Sequence, residues 1–368
     1  MYATYELSLY SGIGVPTAVV ADFVSLTYAR SVNAPGTAVL TLPYTETYWN
    51  ALVPESILQV YRRGESRVVW LAGGTHWLMT KREMILDQSG SWRIIATFAD
   101  LIDVLKRWLV AYPAGDAHST KSGAAETVIK AIVTEELITR GGLGGYITVE
   151  GDAGRGQNVS VTCSWQDVNS ALSNVAQSSA QLGTYVAYDF EVLGIMSYLF
   201  RVYTGQRGTD RSPTSAVPLW IDVDAGSIAM ADYVMDYSSS ATAVTVGGQK
   251  TSGAQVTATA TNAALEGNGP FAHREMYGSA QNTTSAAVLT SQANDLLREY
   301  RPAGNFTAQA IVLGNGIELG VNVDFGDLVS VSFGPINFLA ALETLSVTVD
   351  GASGLETVST TMRYVGAL

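Results

Sequence analysis

The chain has 368 residues, 47% hydrophobic and 15% charged, with 21 Lys+Arg against 33 Asp+Glu for a formal net charge of −12. That length carries two or three domains with sizeable cores. Such low charge suits a surface largely covered by neighbours, and the acidic balance disfavours a generic binder of double-stranded nucleic acid, which needs basic surface.

The first residues, Met1 to Leu7, alternate at once and show no basic or apolar leader pattern, so no signal peptide is expected. No apolar run approaches the ~18 residues of a membrane span. From residue 1 to 97 the pattern is short strands. Glu6–Tyr10 alternates, and Val19–Ala29 and Thr37–Leu42 flank the turn Asn33-Ala34-Pro35-Gly36. Ile57–Tyr61 pairs with Arg67–Ala72, and Glu83–Leu86 with Trp92–Phe98, as hairpins. A helix is expected next, with Phe98, Leu101, Ile102, Leu105 and Leu109 on one face.

The polar loop Tyr112–Gly123 marks a boundary. Beyond it, helices are expected at Glu126–Leu137 and Ser164–Ala180, the second with Ser164 as N-cap and Trp165, Val168, Leu172 and Val175 buried. Strands Tyr185–Phe190 and Met196–Tyr203 follow, and Gly205–Ser215 is a second boundary loop. Ala243–Gly247 is the clearest later strand. An amphipathic helix spans Ser285–Tyr300, and short strands fill Phe306–Tyr364. The fold class expected is mainly β with an α+β insertion: two small β-barrel domains plus an inserted α/β domain. The first barrel covers 1–110 and is completed by about 216–250. The insertion covers 111–215, and the second barrel covers 251–368 with its helix at 285–300.

Motifs that carry chemistry are sparse. Gly247-Gly248-Gln249-Lys250-Thr251-Ser252 looks like a phosphate loop only faintly, because Gln249 replaces the glycine before the lysine and no helix follows. Gly141–Gly145 follows a helix, where a dinucleotide fingerprint must follow a strand. Asp222 and Asp224 share a strand face near Asp232 and Asp236, but lack the converging loops that calcium needs. Cys163 reads as a buried filler; a thiol dyad with His118 or His273 has no local signature, and His76 stands apart. One cysteine also excludes an internal disulfide framework. The tryptophans Trp70, Trp77, Trp92, Trp108, Trp165 and Trp220 are explained mostly by packing. No catalytic, cofactor or metal site is expected.

Four stretches share one order. Tyr28-Ala29-Arg30 through Pro35-Gly36 to Leu40-Thr41-Leu42-Pro43 opens the series. Leu101–Trp108, Glu126–Glu136 and Val321–Val331, with Gly326-Asp327, complete it. In that order they resemble the central tail hub proteins of long-tailed bacteriophages of the siphophage type. The resemblance implies a non-enzymatic virion part at the tail tip, assembled in the host cytoplasm: a homotrimer whose two barrels per subunit make a pseudo-sixfold ring. Its implied partners are the hexameric distal tail protein, the tape measure protein C-terminus and a spike or central fibre. DNA would pass only in transit, along a lumen expected to be partly acidic. A carbohydrate-binding β-rich adhesin is the alternative reading, and a cell-wall hydrolase the third.

Overall fold

The computed structural model describes residues 3–86, 88, 90–111, 118–222, 224–251, 253–280, 284–300, 303–311 and 317–367. These group into two compact units, 1–180 with 184–232 and 306–368, and 181–183 with 233–305.

The first unit begins with strands β1 (Thr4–Tyr10), β2 (Pro16–Val20), β3 (Ser25–Ser31) and β4 (Ala34–Pro43). Helix α1 (Glu46–Ala51) starts at Thr45, whose hydroxyl accepts from the Tyr48 N–H at 3.1 Å. Next come β5 (Ile57–Arg63), β6 (Val69–Leu71), β7 (Trp77–Leu86), β8 (Trp92–Asp100) and the single turn α2 (Asp103–Lys106). The middle of the chain forms β9 (Ser119–Ala124), α3 (Ala125–Val133), β10 (Ile147–Val149), β11 (Asn158–Cys163), α4 (Val168–Gln181), β12 (Val186–Gly194), β13 (Ser197–Thr204), β14 (Asp210–Arg211) and β15 (Trp220–Asp222). The strand β16 (Ile228–Asp236) leads out of this unit.

The second unit is small. Strand β17 (Ala243–Thr251) pairs antiparallel with β18 (Ala254–Thr261), which is followed by the single turn α5 (Ala263–Glu266). Strand β19 (Glu275–Ser279) runs parallel to β17. Helix α6 (Ala286–Glu299) lays Leu289, Ala293, Leu296 and Leu297 on Val244 and Val246. This apolar stripe at i, i+4 and i+7 is why the segment folds as a helix on a sheet. The chain returns through β20 (Ala303–Ile311) to β21 (Leu328–Phe333), β22 (Ile336–Leu342), β23 (Thr344–Asp350) and β24 (Glu356–Ala367) in the first unit.

The two ends of the chain build one sheet. Its central run is β7-β8-β4-β3-β23-β24-β22-β21, every neighbour antiparallel. The run is a tandem repeat. Taking β3, β4, β7 and β8 as first to fourth, their spatial order is third-fourth-second-first. The order β23-β24-β22-β21 repeats it for the C-terminal four. The two copies meet at β3 and β23, in register from Ser31↔Thr344 to Ser25↔Asp350.

The sheet has one buried face and one open face, as strand alternation requires. Leu26, Tyr28, Leu40, Phe98, Val347 and Val358 point to the core. The opposite parity in β3, β4, β8, β23 and β24 reads Ser25, Thr27, Ala29, Ser31; Thr37, Val39, Thr41, Pro43; Arg93, Ile95, Thr97, Ala99; Thr344, Ser346, Thr348, Asp350; Thr357, Ser359, Thr361, Arg363. Each of these is half-buried or exposed.

Several expectations change. Residues 251–368 do not form one unit: 251–305 carries its own core, and 306–368 joins the N-terminal strands because β23 pairs with β3. Residues 111–180 and 184–215 lie in the first unit and hydrogen-bond to the β3–β4 turn, where Asn33 Nδ2 donates to the Val186 carbonyl at 3.0 Å and Asn33 Oδ1 accepts from the Tyr188 N–H at 2.9 Å. Of the expected loop Tyr112–Gly123, residues 112–117 lie outside the described residues.

The expected helix through Phe98–Leu109 shrinks to α2, because Phe98 belongs to β8 and Leu109 is exposed. The helix expected at Ser164–Ala180 starts later, with Asp167 Oδ1 accepting from the Ser170 N–H at 2.9 Å. Trp165 stands outside it, exposed, with φ +56°. Helix α3 continues past Val133 as a π-helical segment, Thr134–Arg140.

Candidate assembly site: a buried charge clamp and an open sheet face

The residues singled out for chemistry stay apart. Among the described residues no group of three His, Cys, Asp or Glu could hold a metal ion. Asp222 caps its own turn, Oδ1 accepting from the Asp224 N–H at 2.8 Å, and Asp236 does the same for Ser238 at 2.7 Å. Cys163 is buried with Gln166 Nε2 2.9 Å from its sulfur, and burial pushes its thiol up, so it stays protonated. His76 lies between Gln59 Nε2 at 3.0 Å and the Tyr198 hydroxyl at 3.4 Å, and burial lowers its pKa to about 4, so it is neutral. His273 faces Glu266 and Glu275, and His118 makes no dyad with Cys163, whose polar neighbour is Gln166. Gly247–Thr251 is strand β17, not a phosphate loop; Ser252 lies outside the described residues. Gly141–Gly145 closes the π-helical segment, Gly142 taking φ +68°. Trp77 is in the core, Trp70 donates to Asp324, and Trp92, Trp165 and Trp220 are exposed at separate places in the chain.

The structure instead assembles a charge cluster that the sequence analysis passed over. Arg30, buried on β3, donates Nε to Asp100 at 3.0 Å, Nη2 to Asp189 at 2.7 Å and Nη1 to the Gly73 carbonyl at 2.6 Å. Arg207 Nε donates to the other Asp189 oxygen at 2.6 Å, and Nη1 to the Phe325 carbonyl at 2.9 Å. Both guanidiniums stack on the Phe325 ring, at 4.9 and 4.8 Å. Burial pushes the Asp189 carboxyl up, but Arg30 and Arg207 outweigh it and hold it below the ordinary carboxylate range. Asp100 has one guanidinium partner and burial wins, so its pKa rises. Gly36 makes the approach possible: a Cβ there would lie 2.5 Å from the Ala29 carbonyl oxygen and 3.0 Å from the Asp100 carboxylate. Gly36, at the start of β4, is thus a packing requirement of the clamp.

The Gly326-Asp327 turn locks the other side. Gly326 takes φ +83°, and its carbonyl accepts from the Gly208 N–H at 2.8 Å. Asp327 accepts from the Thr209 N–H at 2.6 Å, Arg211 Nε at 2.7 Å and the Asp324 N–H at 2.9 Å. A second buried pair ties the chain ends. Arg62 on β5 forks onto Glu356 of β24 at 2.7 and 2.8 Å and donates to the Leu319 carbonyl at 3.0 Å, while the Tyr5 hydroxyl donates to the same carboxylate. These are charges taken fully out of water and satisfied by several partners each, so removing one partner strands the rest.

A third cluster sits on α3. Glu126, buried, receives Lys130 Nζ at 2.5 Å and the Arg155 guanidinium at 2.8 and 2.9 Å. Burial raises its pKa, but Arg155 and Lys130 prevail and bring it to about 2. A carboxylate held below its unfolded value adds stability above about pH 4.5 and loses it as pH falls toward 2. Glu126→Gln should flatten the pH dependence of unfolding in that window; a curve unchanged from wild type would show that the cluster does not couple to folding.

A largely apolar cavity of about 310 Å³ lies between Ile57, Leu78, Leu101, Trp108, Phe190 and Tyr198, and its charged lining residues, Glu55 and Arg107, pair with each other at 2.7 Å. No helix among the described residues is long and apolar enough to cross a membrane.

The 43 kDa tail protein of prophage MuSo2 from Shewanella oneidensis is similar at 12% identity over 98% of each chain, with a TM-score of 0.62. The tail protein of Neisseria meningitidis MC58 is similar at 11% identity over 98% of this chain and 96% of that one, TM-score 0.58. Prophage tail protein gp18 of Listeria monocytogenes EGD-e is similar at 12% identity over 97% and 94%, TM-score 0.55. At such identities the likeness shows a shared fold, that of phage tail proteins. No curated protein sequence matches the chain. The model of the siphovirus ReqiPepy6 Gp37-like proteins matches residues 7–350, nearly the whole chain, and this protein therefore belongs to that family.

Proposed function

We propose that the chain is a structural protein of a phage tail tip, working in the virion as a homotrimeric hub. The observation that carries the reading is the tandem repeat in the central sheet. Within one chain the first strand of one four-stranded module, β3, pairs with the third strand of the other, β23. That contact is head-to-tail, and head-to-tail contacts repeated between copies close into rings where the rotation between copies closes. Three copies then supply six modules, matching a sixfold tube while keeping threefold symmetry.

One end of the run suits such a joint. Beyond Leu78, β7 has β8 on one side and no strand paired on the other among the described residues. At the far end β21 is edged by the short parallel strands β14 and β15. An open edge of this kind invites pairing with another chain. The fold shared with phage tail proteins supports the same reading. The partners it calls for are a hexameric distal tail ring on one face, a spike or central fibre on the other, and the tape measure protein C-terminus followed by DNA in the lumen. Native mass measurement of the chain with its tail components tests the stoichiometry. Three copies per complex is the expected result; two or six would contradict the hub.

A further inference from the structure

The open face of the eight-strand run has a composition unusual for a solvated sheet. A surface built for solubility carries about 25–35% Lys, Arg, Glu and Asp. Across the middle of β3, β4, β8, β23 and β24 this face is hydroxyl-rich, and charge is confined to its margins, with Arg93 and Asp350 at the strand ends beside Pro43 and Ser25. There Lys81 pairs with Glu83, and Arg363 with Glu343. Threonine is a good strand former, and Thr27 and Thr348 bond across the joint at 3.3 Å, so part of this composition serves the sheet itself. Strand propensity does not explain the missing charge, because exposed strands elsewhere in the chain carry it, as at Arg63 and Glu6.

We propose that this face is a neutral hydroxyl wall along which double-stranded DNA slides without exchanging its counterions. The inference rests on the ring reading above. The other face of the sheet is the core, so the open face is the one left to line a channel. It replaces the acidic lining expected from net charge. Cations on such a wall would displace DNA counterions and hold the duplex with a salt-dependent affinity. Carboxylates would repel it over about a Debye length of ~8–10 Å. Hydroxyls do neither: each returns its hydrogen bonds to water and leaves the phosphates their own ions.

The test uses assembled tails containing this chain. Thr348→Cys adds a thiol to a chain whose one native cysteine is buried. In the tail it should react with a small maleimide and be shielded from one carrying a bulky polymer. Full reaction with both would remove the ring reading itself. With shielding established, Thr27→Lys/Thr348→Lys puts six cations on the wall of a threefold ring. DNA release should slow at about 50 mM salt and recover by about 200 mM, since six phosphate contacts weaken about 10³-fold over that range. Thr27→Gln/Thr348→Gln should release DNA at the wild-type rate. Thr37→Lys, at an exposed position on the same face, repeats the test where the double variant fails to assemble. Wild-type release from the lysine particles at low salt would overturn the neutral wall and leave the ring reading standing.

Discussion

Replacing Arg30 by alanine is expected to lower the unfolding free energy of the first unit by about 3–5 kcal/mol. Arg30 is the single cation shared by Asp100 and Asp189, all three nearly inaccessible to water. Its removal leaves Asp100 with no guanidinium and the Gly73 carbonyl without this donor, while Asp189 keeps only Arg207. The cost is that of uncompensated buried groups, far above the 0–1 kcal/mol of an exposed pair. Urea unfolding measures it as a fall in midpoint at constant slope. Asp189→Ala should cost a similar amount, and the double variant clearly less than the sum, because both changes break one contact. A loss below about 1 kcal/mol for Arg30→Ala would show that water reaches the cluster.

The Arg62–Glu356 pair should behave asymmetrically. Arg62→Met alone strands the Glu356 carboxylate, with the Tyr5 hydroxyl as its remaining donor, and should cost about 3–5 kcal/mol. Arg62→Met with Glu356→Leu removes both charges and fills the space with apolar atoms, which is often neutral in such sites. The Leu319 carbonyl and Tyr5 hydroxyl then lose a partner, at about 1 kcal/mol each. The double variant should therefore be more stable than Arg62→Met. Because the pair joins β5 to β24, the same measurement reports how firmly the C-terminal strands are held to the N-terminal ones.

Much of the fold was legible because strand alternation and helix periodicity are local. The β3–β4 hairpin, the amphipathic helix near 285–300 and the Gly326-Asp327 turn appear where their residues put them, except that the hairpin turns at Val32-Asn33, and Pro35-Gly36 already belong to β4. The misplaced helix at Phe98–Leu109 shows the limit: its apolar spacing fits both periods until Asp100, and sheet pairing with β4 and β7 decided the matter. The domain division was not legible, since β3–β23 pairing joins residues more than three hundred positions apart and leaves no local trace. The charge clamp did leave one. Arg30 follows Leu26 and Tyr28 at core parity, Asp100 follows Ile94, Ala96 and Phe98, and Arg62 follows Leu58 and Val60. A charged residue continuing the inward row of a strand must find a buried partner, but which partner lies in the tertiary fold.

The ring is most directly tested by imaging the assembled tail and averaging the density at this chain's position without imposed symmetry. The account predicts three copies related by a threefold axis, contributing six four-stranded modules, with the hydroxyl face of β3 and β23 toward the channel. Six identical copies, or a channel lined by other strands with the hydroxyl face of β3 and β23 turned away from it, would contradict it.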